Sequence, residues 1–80
     1  MAAEVIAYLL ILTTSEGTEN LLSNLRAMPE VTEAFVIYGD WDIIVRVKAG
    51  SLPELTKFVM ELRKNKAIRK TSTLIALIED

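Results

Sequence analysis

The sequence predicts an α+β domain whose elements follow the order β-α-β-β-α-β. Short apolar runs rich in valine, isoleucine and aromatic residues predict the strands. Two segments whose apolar residues recur with the period of an α-helix predict the helices. Glycine, proline, serine and threonine separate these segments and mark the connections between them.

The first strand and the first helix are predicted over residues 5–12 and 18–28. Residues 5–12 are apolar without alternation, so we expect both faces of this strand to be buried. We expect Ser15 or Thr18 to cap the start of the helix, and Pro29 to stop it. The helix has one apolar stripe, formed by Leu21, Leu22, Leu25 and Met28.

A β-hairpin is predicted next, with strands over residues 31–38 and 43–47 joined by a tight turn at residues 39–42. Gly39 supplies the positive φ that such turns need, and aspartate tolerates the same region. The turn also holds Trp41, the only tryptophan of the chain. A large ring at the tip of a turn is unusual, because it needs a surface to bury against.

The second helix begins at a strong start signal at residues 51–54, where the serine caps the helix and the glutamate reaches back. We expect it to end near residues 64–65, and the last strand to cover residues 71–78. Five of the nine basic residues lie in residues 63–70, and we interpret them as solvated surface because no aromatic residues interleave them. The apolar stripe of this helix is formed by Leu55, Phe58, Val59 and Leu62.

This order of elements is that of the ferredoxin-like fold, a four-stranded antiparallel sheet with two helices on one face. The first and third strands are then central. The helices cover one face only, yet the first strand is apolar on both, and soluble monomers rarely expose such a face. We therefore expect residues 1–80 to form one domain and a homodimer with a dimeric α/β-barrel-like association. Its two sheets either pack face against face or join edge to edge into a continuous barrel-like sheet. We expect Arg46 on the uncovered face, paired with Glu33 or Glu4.

The composition argues against several classes of protein. The chain has no histidine and no cysteine, so we expect no metal, no cofactor and no catalytic residue. Asp40 and Asp42 are paired acids, but solvation on a turn keeps both ionised, which does not suit a general acid. The net charge of −2 argues against a dedicated nucleic-acid-binding protein. The longest apolar run is far shorter than the roughly 20 residues of a membrane span, and we expect a cytoplasmic protein.

A small-ligand site is the alternative to a plain hairpin turn. Asp40 and Asp42 can accept hydrogen bonds from an ammonium group. The backbone amides around Gly39, together with the hydroxyls of Thr71 and Thr73, can hold a carboxylate. These groups suit the two ends of a free amino acid. The residues alone leave both interpretations open, because turn chemistry also explains the glycine and the aspartates.

Three segments together resemble the effector domain, or RAM domain, of the Lrp/AsnC family of feast/famine regulators. They are MPEV at residues 28–31, VIYGDWDIIV at 36–45 and IRKTSTLI at 68–75. The resemblance implies dimers built through the sheets, which assemble into octameric or decameric rings with amino-acid effectors bound between dimers. It also implies that the site is lined by Gly39, Asp40, Trp41, Asp42, Thr71 and Thr73.

Regulators of that family carry an N-terminal helix-turn-helix domain, which this sequence lacks ahead of its first strand. We therefore expect a stand-alone effector domain without direct DNA binding. It is either an amino-acid sensor or a structural partner that co-assembles with full-length regulators. A third alternative is a small dimeric α/β-barrel enzyme, such as a cofactor-free oxygenase. That enzyme needs a polar cavity between sheet and helices, whereas the leucine, isoleucine and valine content predicts a filled core.

Overall fold

The computed structural model describes residues 4–14 and 17–76. Its elements are β1 (Val5–Thr13), α1 (Thr18–Arg26), β2 (Val31–Val36), β3 (Ile43–Ala49), α2 (Leu52–Leu62) and β4 (Ile68–Ile75). The strands form one antiparallel sheet in the order β2-β3-β1-β4. The predicted ferredoxin-like fold, with the first and third strands in the centre, is therefore confirmed.

The core lies between the sheet and the two helices. Alternate side chains of β1 and β3 point into it, as the period of two along a strand requires. The helices contribute the apolar stripes that their sequence predicts. Neither of the helices in the described ranges is long and apolar enough to cross a membrane. The fully buried large side chains are Leu9, Ile11, Leu21, Leu25, Ile43, Val45 and Val47.

The start of α1 differs from the prediction. Gly17 occupies the N-cap position and provides no side-chain cap. The Thr18 hydroxyl instead lies 2.7 Å from the Thr13 hydroxyl at the end of β1, so its prediction as a cap is wrong. The other predicted cap, Ser15, lies outside the described residues. The helix ends at Arg26, two residues before the predicted Met28, because the chain turns ahead of Pro29.

The start of α2 follows the prediction closely. The Ser51 Oγ accepts a hydrogen bond from the Glu54 amide at 3.3 Å, which caps the helix. The Glu54 carboxylate reaches back and accepts from the Gly50 amide at 2.9 Å. The helix ends at Leu62, with Arg63 at the C-cap position, and so is slightly shorter than expected.

The last strand begins earlier than predicted, at Ile68 rather than Thr71. The predicted end at residue 78 lies outside the described residues. β4 is an edge strand, and residues on both of its faces are exposed. Arg69 and Lys70 lie inside it, and charged side chains of this kind are common on edge strands because they discourage pairing with other chains.

The face of the sheet without helices is largely apolar. Its most exposed large apolar residues are Phe35 on β2 (52%) and Leu74 on β4 (53%). Arg46 also lies on this face, as predicted, but its Nη1 donates to the Thr32 hydroxyl at 2.9 Å. The predicted pairing of Arg46 is wrong. Glu4 forms its ion pair with Lys48 at 3.2 Å, and Glu33 lies opposite Arg46 in the pairing of β2 with β3 without forming an ion pair with it. The apolar residues of this open face are Ile6, Tyr8, Leu10, Leu12, Phe35, Ile44 and Leu74.

Candidate functional site

The connection between β2 and β3 is longer than the predicted tight turn, since it covers residues 37–42. Two backbone hydrogen bonds hold the end of this connection that leads into β3. The Ile37 amide donates to the Asp42 carbonyl, and the Asp42 amide donates to the Ile11 carbonyl on β1, both at 2.9 Å. The loop is therefore attached to the central strand as well as to its own hairpin.

The Asp42 side chain strengthens this attachment. Its Oδ2 accepts hydrogen bonds from the Thr13 amide at 2.9 Å and from the Thr13 hydroxyl at 3.1 Å. Thr13 is buried and also contacts the Thr18 hydroxyl, so one carboxylate oxygen ties the loop to both β1 and α1. Asp42 thus has a structural role that the sequence pattern did not indicate.

Asp40 and the tip of the loop have a different environment. Asp40 is exposed, and its carboxylate has no hydrogen-bond or ion-pair partner among residues 4–14 and 17–76. Within the same ranges, the backbone amides of residues 38–41 donate to no protein acceptor. Gly39 has a φ of 135°, a conformation that side-chain-bearing residues rarely adopt. The tip therefore presents unused donors and one unused carboxylate to the outside.

Trp41 is half-buried at the base of this tip. The Lys70 ammonium lies 5.7 Å from the centroid of its ring, within the range of a cation–π contact. Lys70 is opposite Leu12 in the pairing of β4 with β1, so its side chain crosses the end of β1 to reach the loop. The basic run at residues 63–70, of which Lys70 is part, is predicted from the sequence to be solvated surface. Its position directly before the Thr-x-Thr pattern is the signal that marks it as different.

Thr71 and Thr73 lie opposite Ile11 and Leu9, and so both point to the helix-side face of the sheet. Thr73 is exposed and Thr71 is half-buried. In one protomer they do not meet the loop, because β1 separates them from it by two strand spacings, roughly 10 Å. The predicted site residues therefore form two separate groups within one protomer, the loop residues and the two threonines. Both groups lie at the same end of the sheet.

A cleft between elements lies away from this region. It has a volume of about 510 Å³ and lies between α2 and the ends of β2 and β3. Its lining is a mixture of apolar side chains and carboxylates, and the Glu54 carboxylate in it already serves the helix cap. None of the predicted site residues lines this cleft.

Comparison with known proteins identifies the family. The model of the Lrp/AsnC ligand binding domain matches residues 6–79. The chain belongs to the Lrp/AsnC family. It is 32% identical to an uncharacterized HTH-type transcriptional regulator of Pyrococcus furiosus over 84% of this chain, and it spans 43% of that regulator.

Solved structures have the same fold. A hypothetical protein from Pyrococcus horikoshii superposes with a TM-score of 0.89 at 42% identity, over 94% of this chain and 92% of that chain. A transcriptional regulator from Neisseria meningitidis, solved as an L-Met complex, has a TM-score of 0.85 at 17% identity, over 91% of this chain and 49% of that chain.

Family membership gives the domain a regulatory, effector-binding role and not an enzymatic one. The interior agrees with this role. The space between sheet and helices is filled by apolar side chains, and Thr13 is the one buried polar residue of the described chain.

Proposed function

We propose that this chain is an amino-acid-binding, oligomerising regulatory module that acts in the cytoplasm and does not itself contact DNA. Residues 1–80 form one domain for effector binding and assembly. The observation that supports this proposal best is the loop tip at residues 38–41, with its unpaired Asp40 carboxylate and its unused amides beside Trp41. These groups match the charges of a free amino acid.

The proposed site binds both ends of the ligand. The Asp40 carboxylate accepts from the α-ammonium group, and the amides of residues 38–41 donate to the α-carboxylate. Trp41 provides an apolar surface for the rest of the ligand. Gly39 allows the backbone to adopt the required conformation, and Asp42 holds the loop in place.

The two threonines enter the site from another copy of the chain. Thr71 and Thr73 are separated from the loop of their own protomer by β1, yet they lie on an edge strand that a neighbour can approach. We infer that the loop of one copy faces β4 of another, so that the ligand lies at an interface. The L-Met complex of the Neisseria meningitidis regulator supports the view that this fold can accept an amino acid.

The open face of the sheet supports the proposed dimer. Phe35 and Leu74 are about half exposed there, next to other apolar side chains of the central strands. Burying apolar area yields about 25 cal/mol per Å², so a second copy packed on this face is strongly favoured. The resulting homodimer has the barrel-like association of two sheets, and dimers join through their loop ends into octamers or decamers.

Binding and assembly are linked if the site lies between copies. A ligand that binds only the assembled form stabilises it by about 2.7 kcal/mol per site at 100 times its Kd. Assembly in turn raises the affinity for the ligand by the same coupling free energy. The module therefore converts amino-acid concentration into a change of oligomeric state.

A thermal-shift screen of the twenty amino acids tests the proposed ligand class. We expect at least one amino acid to raise the Tm of the wild type, and the shift to be lost in Asp40→Ala and reduced in Thr73→Ala. Glu19→Ala, which removes an exposed carboxylate on α1, is the matched control and keeps the full shift. The proposal is wrong if no amino acid changes the Tm of the wild type.

A second candidate function is structural co-assembly with full-length regulators of the family. It is favoured by the 32% identity to an uncharacterized HTH-type transcriptional regulator, of which this chain spans 43%. In that case mixed dimers form through the open faces. Co-purification of this chain with such a regulator, to the same extent with and without amino acids, supports co-assembly over sensing.

A further inference from the structure

We propose that Lys70 is a further effector-binding residue, which holds the α-carboxylate of the amino acid at the face of Trp41. This inference rests on the proposed amino-acid function. It adds a positive charge to the site, which the loop itself does not have. The loop offers Asp40 for the ammonium end of the ligand, but only neutral amides for the carboxylate end.

The position of the Lys70 ammonium supports this role. Lys70 starts from β4 opposite Leu12, while the loop is bonded to Ile11 on the other side of β1. Its side chain therefore bridges the strand that separates β4 from the loop. The ammonium group ends 5.7 Å from the centre of the Trp41 ring.

The charge of Lys70 is available for a ligand. The described ranges contain two ion pairs, Lys48 with Glu4 and Lys64 with Glu61, and neither involves Lys70. Lys64, in the same basic run, is thus paired within its own chain, whereas Lys70 forms no ion pair among the described residues and lies over the Trp41 ring. A cation–π contact with a half-buried ring is weaker than a charge-assisted hydrogen bond to a carboxylate.

The chemistry of the ligand completes this arrangement. A free amino acid carries a positive and a negative charge on neighbouring atoms, and Asp40 and Lys70 provide the opposite charges from two different elements. Because Trp41 follows Asp40 directly in sequence and its ring lies under the Lys70 ammonium, it can cover the ligand and exclude water from both contacts. Binding moves the ammonium from the ring to the carboxylate, without the need to break an existing ion pair.

The test compares an amino acid with its α-carboxamide, which lacks the negative charge. The probe is the L-amino acid that binds the wild type most tightly by calorimetry, together with its carboxamide. We expect the wild type to bind the carboxamide about 10- to 100-fold more weakly, the range for loss of a charge-assisted hydrogen bond. Lys70→Met should prefer the amino acid over its carboxamide about tenfold less than the wild type does, because the ion pair is absent while the loop amides still favour the carboxylate.

Two further variants control for charge and fold. Lys66→Met removes an exposed lysine just ahead of the same strand and should discriminate as strongly as the wild type. Lys70→Arg keeps the positive charge and should keep most of the discrimination. If Lys70→Met fails to fold, Lys70→Gln is the neutral variant, and it is compared with Lys70→Arg. Trp41 is the only tryptophan, so its emission in the free protein should change in Lys70→Met and stay unchanged in Lys66→Met.

The outcomes separate this inference from the proposed function. If no amino acid binds the wild type, the proposed function fails and the role of Lys70 fails with it. If an amino acid binds but Lys70→Met still prefers it over the carboxamide as strongly as the wild type does, the role of Lys70 alone is overturned.

Discussion

Replacing Asp42 by alanine should destabilise the domain far more than the same change at Asp40. Asp42→Ala removes two hydrogen bonds to a carboxylate and leaves the amide of the buried Thr13 without an acceptor. Hydrogen bonds to charged groups contribute about 1.5–3 kcal/mol each, and an unsatisfied buried donor is costly, so we expect a loss of about 2–4 kcal/mol. For a domain of this size, the Tm should fall by roughly 10–25 °C.

The assay is urea unfolding at one fixed protomer concentration, followed by Trp41 emission and by circular dichroism. Asp40→Ala is the control, because its exposed carboxylate has no partner in the described chain, and its free energy of unfolding should stay within about 0.5 kcal/mol of the wild type. Asp42→Asn keeps an acceptor oxygen and should lose about half as much as Asp42→Ala. Equal stabilities of Asp42→Ala and Asp40→Ala would falsify the structural role of Asp42.

Five other substitutions test three separate parts of the structure. Phe35→Asp and Leu74→Asp, on the open face, should each weaken the dimer about 100-fold or more by sedimentation, because a symmetric interface contains each residue twice. Met60→Asp, at a residue that is more exposed but lies on α2, should leave the dimer intact. A dimer unaffected by Phe35→Asp and Leu74→Asp contradicts the proposed interface. Ser51→Ala should cost about 1 kcal/mol in thermal melts through loss of the α2 cap, and an unchanged Tm would refute that. Gly39→Ala should lower the free energy of unfolding by about 1–3 kcal/mol and reduce amino-acid affinity, because the backbone of an alanine is strained at a φ of 135°.

The sequence predicted the fold well because its strongest signals are local. The apolar runs of β1 and β3 and the helical stripe ending at Leu62 each follow a simple periodicity, and the central strands are the most apolar ones. The order of elements then restricts the topology to a few arrangements. Most errors in the elements lie at their ends, as at β4, where Arg69 and Lys70 obscure the start of an exposed edge strand.

The candidate site was less predictable because its contacts are not local. The hydrogen bonds of Asp42 reach Thr13, which is distant in sequence, so turn chemistry gave no reason to separate Asp42 from Asp40. The contact of Lys70 with Trp41 depends on the pairing of β4 with β1, which a charge count cannot show. Conversely, the sequence placed Thr71 and Thr73 with the loop, whereas within one protomer β1 lies between them.

Native mass spectrometry of the wild type, with and without each of the twenty amino acids, tests the central claim most directly. One measurement reports both the number of ligands bound and the number of copies in each assembly. We predict that at least one amino acid binds in proportion to the number of protomers and shifts the population between dimers and larger assemblies. Assemblies that carry no amino acid at any concentration, and whose size does not change, would contradict the account.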